Sequence, residues 1–290
     1  MQKLKSRLSR LFNPLAVALV AVIALTSVIP IGATGSVPSV SANALSSEEQ
    51  ALVYAISAGT ISRVEADQRA DQFRIQAVEK AREEMNKLAA QGSAAKGRDV
   101  VYLGTNKTFY NSGWGVYWAE STTYLGTCES LVILQGNKNF ATTSYNAAGL
   151  GAGAATAWVG NQFSVSGSGS RVASVSVSGS YIGKVFAAAA GGASAKVDMY
   201  LVVKDDTTGI QYPTLILSHS ESFGGGSVSL TYFNKGVTVL LQGGHDYSAY
   251  ISLEASASLY GVGSASSEWG NPVSPDFGKY MTYSSISINF

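Results

Sequence analysis

Hydrolytic chemistry usually needs a general base, and the chain of 290 residues contains only two histidines. His219 lies between Ser218 and Ser220 in a strand-like run, and His245 precedes Asp246 in a glycine turn. Neither serine lies in the G-x-S-x-G motif that exposes a nucleophile on a strand-to-helix turn. We therefore predict no catalytic residue, and the chain is not expected to be an enzyme.

Carboxylates are the other candidates for chemistry, because glycoside cleavage uses two acids that flank the scissile bond. Residues 99–290 contain eleven acids, but the sequence alone brings no two of them together. Asp205 and Asp206 could supply oxygen ligands to calcium, yet no EF-hand or related spacing is present, so we interpret them as turn residues. Zinc needs His and Cys clusters that are absent. The sequence predicts no metal site and no cofactor.

Aromatic residues are the strongest candidates for ligand binding, because flat rings beside polar groups can hold sugar rings. Trp269 lies in a polar, proline-containing stretch, 261–279, which we interpret as a long loop. For Trp114 and Trp118 we favour the interpretation that they share one strand face because that face is the core, and Trp269 is the best exception. The candidate ligand-binding residues are Trp269, Trp158, Trp114 and Trp118.

A period of two dominates the chain from Val100 onward and predicts β-strands. From Tyr247 to Leu259, apolar residues alternate with serines and Glu254, which predicts a strand with one buried and one solvated face. We therefore expect Glu254 to be solvated. The stretch Ala147 to Ala157 consists almost entirely of Ala and Gly and is interpreted as a loop or an irregular edge.

Turn residues separate the predicted strands at intervals typical of an antiparallel sandwich. Asp205 to Gly209 predicts a bulged hairpin, Asn234-Lys235-Gly236 a second turn, and Gln242 to Asp246 a third. The predicted fold is mainly β, an antiparallel β-sandwich (jelly-roll-like) preceded by a short helical segment. A closed barrel is the alternative.

Residues 45–98 are rich in charge and predict helices. Ser62 with Glu65 fits a capping box that starts a helix near 62–90, ended by Gly92, and a shorter helix is expected near 47–58. The longer helix carries an apolar stripe of Ile75, Val78, Ala81, Met85 and Leu88. We interpret it as a helix on the β domain or a stalk. A coiled coil is the alternative, but Gln68 and Arg82 interrupt its seam.

The first 44 residues have the features of a secretory signal peptide: a basic start, an apolar run at 15–29 and small residues at Ala42-Asn43-Ala44. Cleavage there makes Leu45 the first mature residue; cleavage after 31–33 and an uncleaved anchor are alternatives. The removed segment carries Lys3, Lys5, Arg7 and Arg10, so the formal net charge changes from +1 to −3. The single cysteine, Cys128, forms no internal disulfide, and is either buried or an intermolecular link.

The expected domains are a signal peptide at 1–44, a helical segment or stalk at 45–98 and a β-sandwich at 99–290. A weakly acidic chain lacks the basic surface that nucleic acid requires, and no stable membrane insertion is expected after cleavage. These features predict a secreted or cell-surface protein whose partners are a polysaccharide or like subunits. Three functions follow, in decreasing order of preference: a non-enzymatic binding protein, a filament or pilus-type subunit that exchanges strands, and a secreted hydrolase.

Overall fold

The computed structural model describes residues 55, 61–92, 98–135, 140–269 and 279–290, with the backbone alone for 122–149. Helix α1 covers Arg63–Gly92, and the elements that follow it in the described ranges are strands. The nine strands, β1 to β9 in chain order, are Asp99–Tyr102, Lys107–Phe109, Trp114–Gln135, Phe140–Ser166, Ser170–Asp205, Gln211–Glu221, Gly224–Gln242, Asp246–Glu268 and Tyr280–Asn289.

Strand β5, with 36 residues, belongs to both layers of the structure. Its first half pairs with β7 on one side and β9 on the other, and β9 pairs further with β2. Its second half pairs with β6 and β8, and the sheet continues through β4 to β3. The first layer is therefore β3-β4-β8-β5-β6, with β1 parallel to the end of β4, and the second is β7-β5-β9-β2. The hydrogen bonds of β5 and a short pairing of β4 with β9 join the two layers.

The core fills the space between the two layers because alternate side chains of each strand point inward. Val175 and Val177 of the second layer belong to the same buried cluster as Ile251 and Leu253 of the first. Phe163 stacks on Tyr247 with ring centroids 5.6 Å apart. The predicted fold class, a mainly β sandwich preceded by a helix, is confirmed.

Helix α1 begins where the sequence indicates, since the Ser62 hydroxyl accepts a hydrogen bond from the Glu65 amide at 3.2 Å. The helix lies along the outer face of the first layer and packs on β3, β4, β5 and β8. Its buried side differs from the predicted stripe, because Ile75 is exposed and Leu88 is only half-buried. The buried positions are Ala66, Ala70, Arg74, Ala77, Val78, Ala81, Met85 and Ala89.

The expectation that β8 has a solvated polar face is wrong, because α1 covers that face. Ser252, Ser256 and Ser258 are buried there, and so is Glu254. Some of the buried polar groups have a partner from the helix: the Ser258 hydroxyl donates to the Ala70 carbonyl, and Arg82 pairs with Glu254. Alternation predicted the strand correctly but could not reveal a helix above its polar side.

The interpretation of Ala147 to Ala157 as a loop is wrong, since these residues lie within β4, between β3 and β8. Ala152 and Ala154 face the helix and pack against its Ala77, Val78 and Ala81. Small side chains are needed because the helix lies close to the sheet along this line. The low complexity of the sequence reflects this close packing.

Two of the three predicted turns are present. Gly209 has a φ of +80° in the turn after β5, and the turn at 242–246 contains Gly244 with a φ of +85°. The turn predicted at Asn234-Lys235-Gly236 is wrong, because these residues are inside β7 and pair with Ser178, Val177 and Ser176. Strand β7, with nineteen residues, follows the first half of β5, with one shift of register between Tyr181 and Gly183.

Some predictions concern residues outside the described part of the chain, namely the signal peptide at 1–44 and most of the short helix at 47–58. Cys128 pairs in register with Ala147, and its side chain is outside the described set. The C-terminal strand β9 is paired on both sides at Ile286–Ile288, with β2 and β5. No helix among the described residues is long and apolar enough to cross a membrane.

Candidate functional site

A cleft of about 310 Å³ lies on the outer face of the first layer, beside the last turn of α1. The helix contributes Ala89 and Ala90, while the sheet contributes residues from the start of β3, the end of β4 and the start of β8. The turn after β5 closes the side away from the helix. The remaining lining residues are Arg98, Trp114, Trp158, Gln162, Lys204, Asp206, Thr207, Asp246, Ser248 and Tyr250.

One wall of the cleft is aromatic. Trp158 stacks on Tyr250 with centroids 5.0 Å apart, and Trp114 meets the same tyrosine edge-on at 5.5 Å. Met85 and Ala89 of the helix pack against this group from one side. The indole N–H groups of both tryptophans are buried and have no hydrogen-bond acceptor among the described residues. Two tryptophans that were proposed from sequence thus meet at one site, although 44 residues separate them in the chain.

The polar wall of the cleft adjoins the aromatic one, since Ser248 and Asp246 lie two and four residues before Tyr250 on the same face of β8, and it consists of paired charges. Arg98 forms ion pairs with Asp246 and, at 3.7 Å, with Asp206. Lys204 lies 3.9 Å from Asp206, whose other oxygen accepts a hydrogen bond from the Ser248 hydroxyl at 2.6 Å. The wall therefore presents two cations and two carboxylates that already compensate one another.

Burial affects the ionisation of two groups in the cleft. It raises the pKa of Asp206, against the hydrogen bond from Ser248 and the charges of Lys204 and Arg98, which lower it. Burial also raises the pKa of Tyr250, with smaller contributions of the same sign from Asp206 and Glu254. Tyr250 is therefore a neutral phenol, and its buried ring supports those of Trp114 and Trp158.

The other two tryptophans proposed from the sequence do not line the cleft, although Trp118 packs against the cluster that contains Trp114 and Trp158. Trp118 is half-buried beneath α1, where its indole N–H donates to Glu120 at 3.3 Å. Trp269 is fully buried on the core side, donates to the Ser267 hydroxyl at 3.1 Å and lies edge-on to Tyr181. The expectation of an exposed Trp269 on a loop is wrong, since β8 continues to Glu268 and carries the ring into the core.

Neither histidine has a serine partner that would form a triad. His245 contacts the Asp205 carboxylate at 2.9 Å, and His219 pairs with Glu221 at 3.1 Å. Ser218 donates instead to Asp198 at 2.7 Å. Among the described residues, no group of three or more His, Cys, Asp or Glu side chains is placed to hold a metal ion.

Asp205 has the role of a turn residue that the sequence predicts. One of its oxygens accepts hydrogen bonds from the amides of Thr207 at 2.9 Å and Thr208 at 3.1 Å. Burial would raise its pKa, but these bonds and the one from His245 lower it overall. Asp206, its neighbour, faces the cleft instead, and nothing in the local sequence distinguishes the two.

No family model matches the chain, and no curated protein matches it in sequence. Among solved structures, it is similar to the xylanase 10B modules of Clostridium thermocellum, solved with xylohexaose, at a TM-score of 0.21 and 8% identity. The match covers 64% of this chain and 28% of the xylanase. It is also similar to TmCBM61, solved with β-1,4-galactotriose, at a TM-score of 0.23 and 8% identity over 60% of this chain and 88% of that one. At such scores neither match implies a shared ligand.

Proposed function

We propose that this chain is an exported, non-enzymatic β-sandwich protein that binds a neutral carbohydrate in the cleft beside α1. The observation that carries the proposal is the composition of the cleft, where Trp114, Trp158 and Tyr250 adjoin a set of hydrogen-bonding side chains around a space of about 310 Å³. A sugar ring needs both surfaces, since its C–H face is apolar and its rim carries hydroxyl groups.

The charges of the polar wall favour a neutral ligand. Arg98 is already paired with Asp206 and Asp246, so a charged sugar would have to break an existing ion pair before it could form its own. Hydroxyl groups can donate to the carboxylates and accept from Lys204, Gln162 or Arg98 without removing those pairs. A neutral oligosaccharide therefore binds at the lower electrostatic cost.

Binding without hydrolysis is favoured by the same arrangement, although Asp206 and Asp246 are two carboxylates in one cleft. Glycosidases need one carboxyl group that is free to protonate the leaving oxygen and another that is free to attack or to activate water. Here Arg98 lies between the two, and Ser248 and Lys204 further engage Asp206. Hydrolysis is the competing outcome of the test.

The test is titration calorimetry of the purified chain with neutral oligosaccharides chosen from a glycan array. In the variant Ala90→Phe a ring projects into the cleft from an exposed helix position, so we expect affinity to fall by about tenfold or more as the ligand is excluded. Asn86→Phe, one turn earlier on the exposed side of the helix and outside the cleft, is the matched control and should leave affinity unchanged.

Equal loss in both variants, or no loss in Ala90→Phe, would contradict the proposed site. Chromatography of the oligosaccharide after long incubation with the wild-type chain distinguishes binding from hydrolysis. Recovery of the intact sugar supports the proposal. Shortened products that disappear in Asp246→Asn would instead make the cleft an active site.

A further inference from the structure

The outer face of the second layer forms a separate surface, on the opposite side of the sandwich from α1. Pairing of β5 with β7 and β9 places its even-numbered residues from 174 to 180 on this side, because their odd-numbered neighbours are buried in the core. We call this surface the hydroxyl face; it consists of Thr108, Ser174, Ser176, Ser178, Ser180, Tyr232, Asn234, Gly236, Thr238, Thr282, Ser285, Ser287 and Asn289.

None of the residues of the hydroxyl face is charged, although the chain contains 20 basic and 19 acidic residues. The register places like groups side by side, as in the row Thr108, Ser287 and Ser176, where the first two hydroxyls are 3.1 Å apart. Neighbouring strands are about 4.8 Å apart and successive outward residues about 6.7 Å apart, so the hydroxyls form a regular two-dimensional array. Tyr232, with 78% of its surface exposed, adds an aromatic ring.

The first layer has a similar serine-rich outer face, and there the helix of the same protein covers it. The outer face of β8 carries Ser252, Ser256 and Ser258 in the same alternation, and α1 buries all three. No described residue covers the hydroxyl face in this way, and its edge strand β7 is exposed at Leu240 and Tyr232. An extended surface with hydrogen-bonding groups is therefore left open to solvent.

The composition of this face indicates the chemistry of its partner. Protein interfaces are depleted in serine and enriched in arginine, methionine and aromatic residues, whereas this face is rich in serine and has Tyr232 as its single aromatic residue. Nucleic acids and anionic membranes require basic residues, and none is present on it. An uncharged, hydroxyl-rich, extended surface is complementary, because neither side has to desolvate a charge and both offer donors and acceptors.

We infer that the hydroxyl face adsorbs to the surface of an insoluble neutral polysaccharide. This inference does not depend on the cleft, which lies on the other layer and would accept a single soluble chain. A protein with both sites could hold one chain in the cleft while the hydroxyl face lies on the solid polymer, and two linked sites raise the apparent affinity without any new contact.

The test measures depletion of the full chain from solution by microcrystalline cellulose, chitin powder and insoluble β-1,3-glucan. The variant Ser174→Lys/Asn234→Lys places two charges on the hydroxyl face, at partly or fully exposed positions of β5 and β7. We expect the adsorption constant on the polymer that binds best to fall about tenfold or more, because a charge must be desolvated on contact. The matched control, Ser168→Lys/Gln211→Lys, adds the same charge at exposed positions away from this face and should change it less than about twofold.

Failure of wild-type protein to adsorb to any of the three polymers would overturn the inference, as would equal adsorption by the face variant. Sedimentation analysis tests whether a second copy of the chain, and not a polysaccharide, binds to the face. A wild-type dimer that Ser174→Lys/Asn234→Lys dissociates would show that a second copy covers it. Ala90→Phe separates the two sites, since it should adsorb normally to the solid even if binding of soluble sugar in the cleft is lost or was never present.

Discussion

Arg82 of α1 forms a two-point ion pair with Glu254 of β8, through Nε at 2.9 Å and Nη2 at 2.6 Å. The carboxylate is buried at the centre of the polar face of β8, whereas the guanidinium remains partly open to solvent. The hydrogen bond to Glu254 raises the pKa of Arg82 further. This pair, and the bonds of Arg74 to Ser194 and Ser256, attach the helix to a face that would otherwise be suited to water.

Substitution of Arg82 by methionine should therefore destabilise the protein. The variant keeps most of the apolar stem but leaves the buried Glu254 carboxylate without its partner, and we expect the free energy of unfolding to fall by about 2–3 kcal/mol. Urea denaturation followed by circular dichroism measures the change. Addition of Glu254→Gln should recover part of the loss, because it removes the unpaired charge.

Lys87 and Glu83 provide a control pair on the exposed side of the same helix, 2.9 Å apart. Lys87→Met should leave the free energy of unfolding almost unchanged, because solvent screens an exposed pair. A similar loss in both variants would mean that the helix is stabilised by its own local pairs and owes little to the contact with Glu254.

Gly192 is a second point where α1 and the sheet approach each other closely. A Cβ atom added at this position would lie 1.9 Å from the carbonyl oxygen of Ala66, which is backbone and cannot rotate away. Gly192→Ala should push the first turns of the helix outward, lower the free energy of unfolding by about 2 kcal/mol or more and increase amide exchange in the helix.

The control for that substitution is Gly236→Ala in β7, where the added Cβ would lie 3.4 Å from the nearest atom, an ordinary contact distance. We expect a change within about 0.5 kcal/mol there. Unchanged amide exchange in α1 of Gly192→Ala would show that the helix is not in close contact with β5 in solution.

The sequence predicted those parts of the fold that depend on short-range periodicity and turn chemistry. The alternation from Tyr247 to Leu259 indicates a strand, and Ser62 with Glu65 places the start of α1, because each signal is contained within a few residues. The errors arise where an element far away in the sequence determines the structure of a segment or the burial of a residue. Ala147 to Ala157 is a strand since a helix and two neighbouring strands pack on it, and Glu254 is buried since Arg82 lies above it.

The cleft was predictable only in part for the same reason. Of the four tryptophans that the sequence proposes, Trp114 and Trp158 line the cleft, but Tyr250, Arg98 and Asp206 come from other elements that only the folded sheet brings together. Trp269 shows the opposite error. Its polar neighbours suggest a loop, yet the ring packs against Gly183 in the core, because a side chain at position 183 would occupy the space of the ring.

Asp205 and Asp206, adjacent in the chain, should affect stability in opposite directions at acid pH. The pKa of Asp205 is below its ordinary value of 3.8 in the folded state, so its contribution to stability is present above that value and lost as the pH falls through the lower folded pKa. The pKa of Asp206 is raised, so its contribution is present below 3.8 and lost as the pH rises through the higher folded pKa.

Thermal denaturation between about pH 5 and pH 2.5 tests this difference. As the pH falls across that range, Asp205→Asn should lose less stability than wild type, and Asp206→Asn should lose more. The comparison uses the slope of stability against pH, because each substitution also changes stability at a fixed pH. Parallel slopes in all three proteins would refute the assignment of the two carboxyl groups.

Trp269 should act through stability and leave ligand binding unaffected. The ring is fully buried, contacts Tyr181 and Gly183, and has its N–H satisfied by Ser267, so Trp269→Ala should lower the free energy of unfolding by about 3–5 kcal/mol. Trp269→Phe retains most of the packing, and we expect a folded protein that binds oligosaccharide in the cleft and adsorbs to solid polymer as wild type does. Calorimetry and depletion assays on the folded phenylalanine variant separate the two roles, since loss of binding by a protein of normal stability would place a ligand at Trp269.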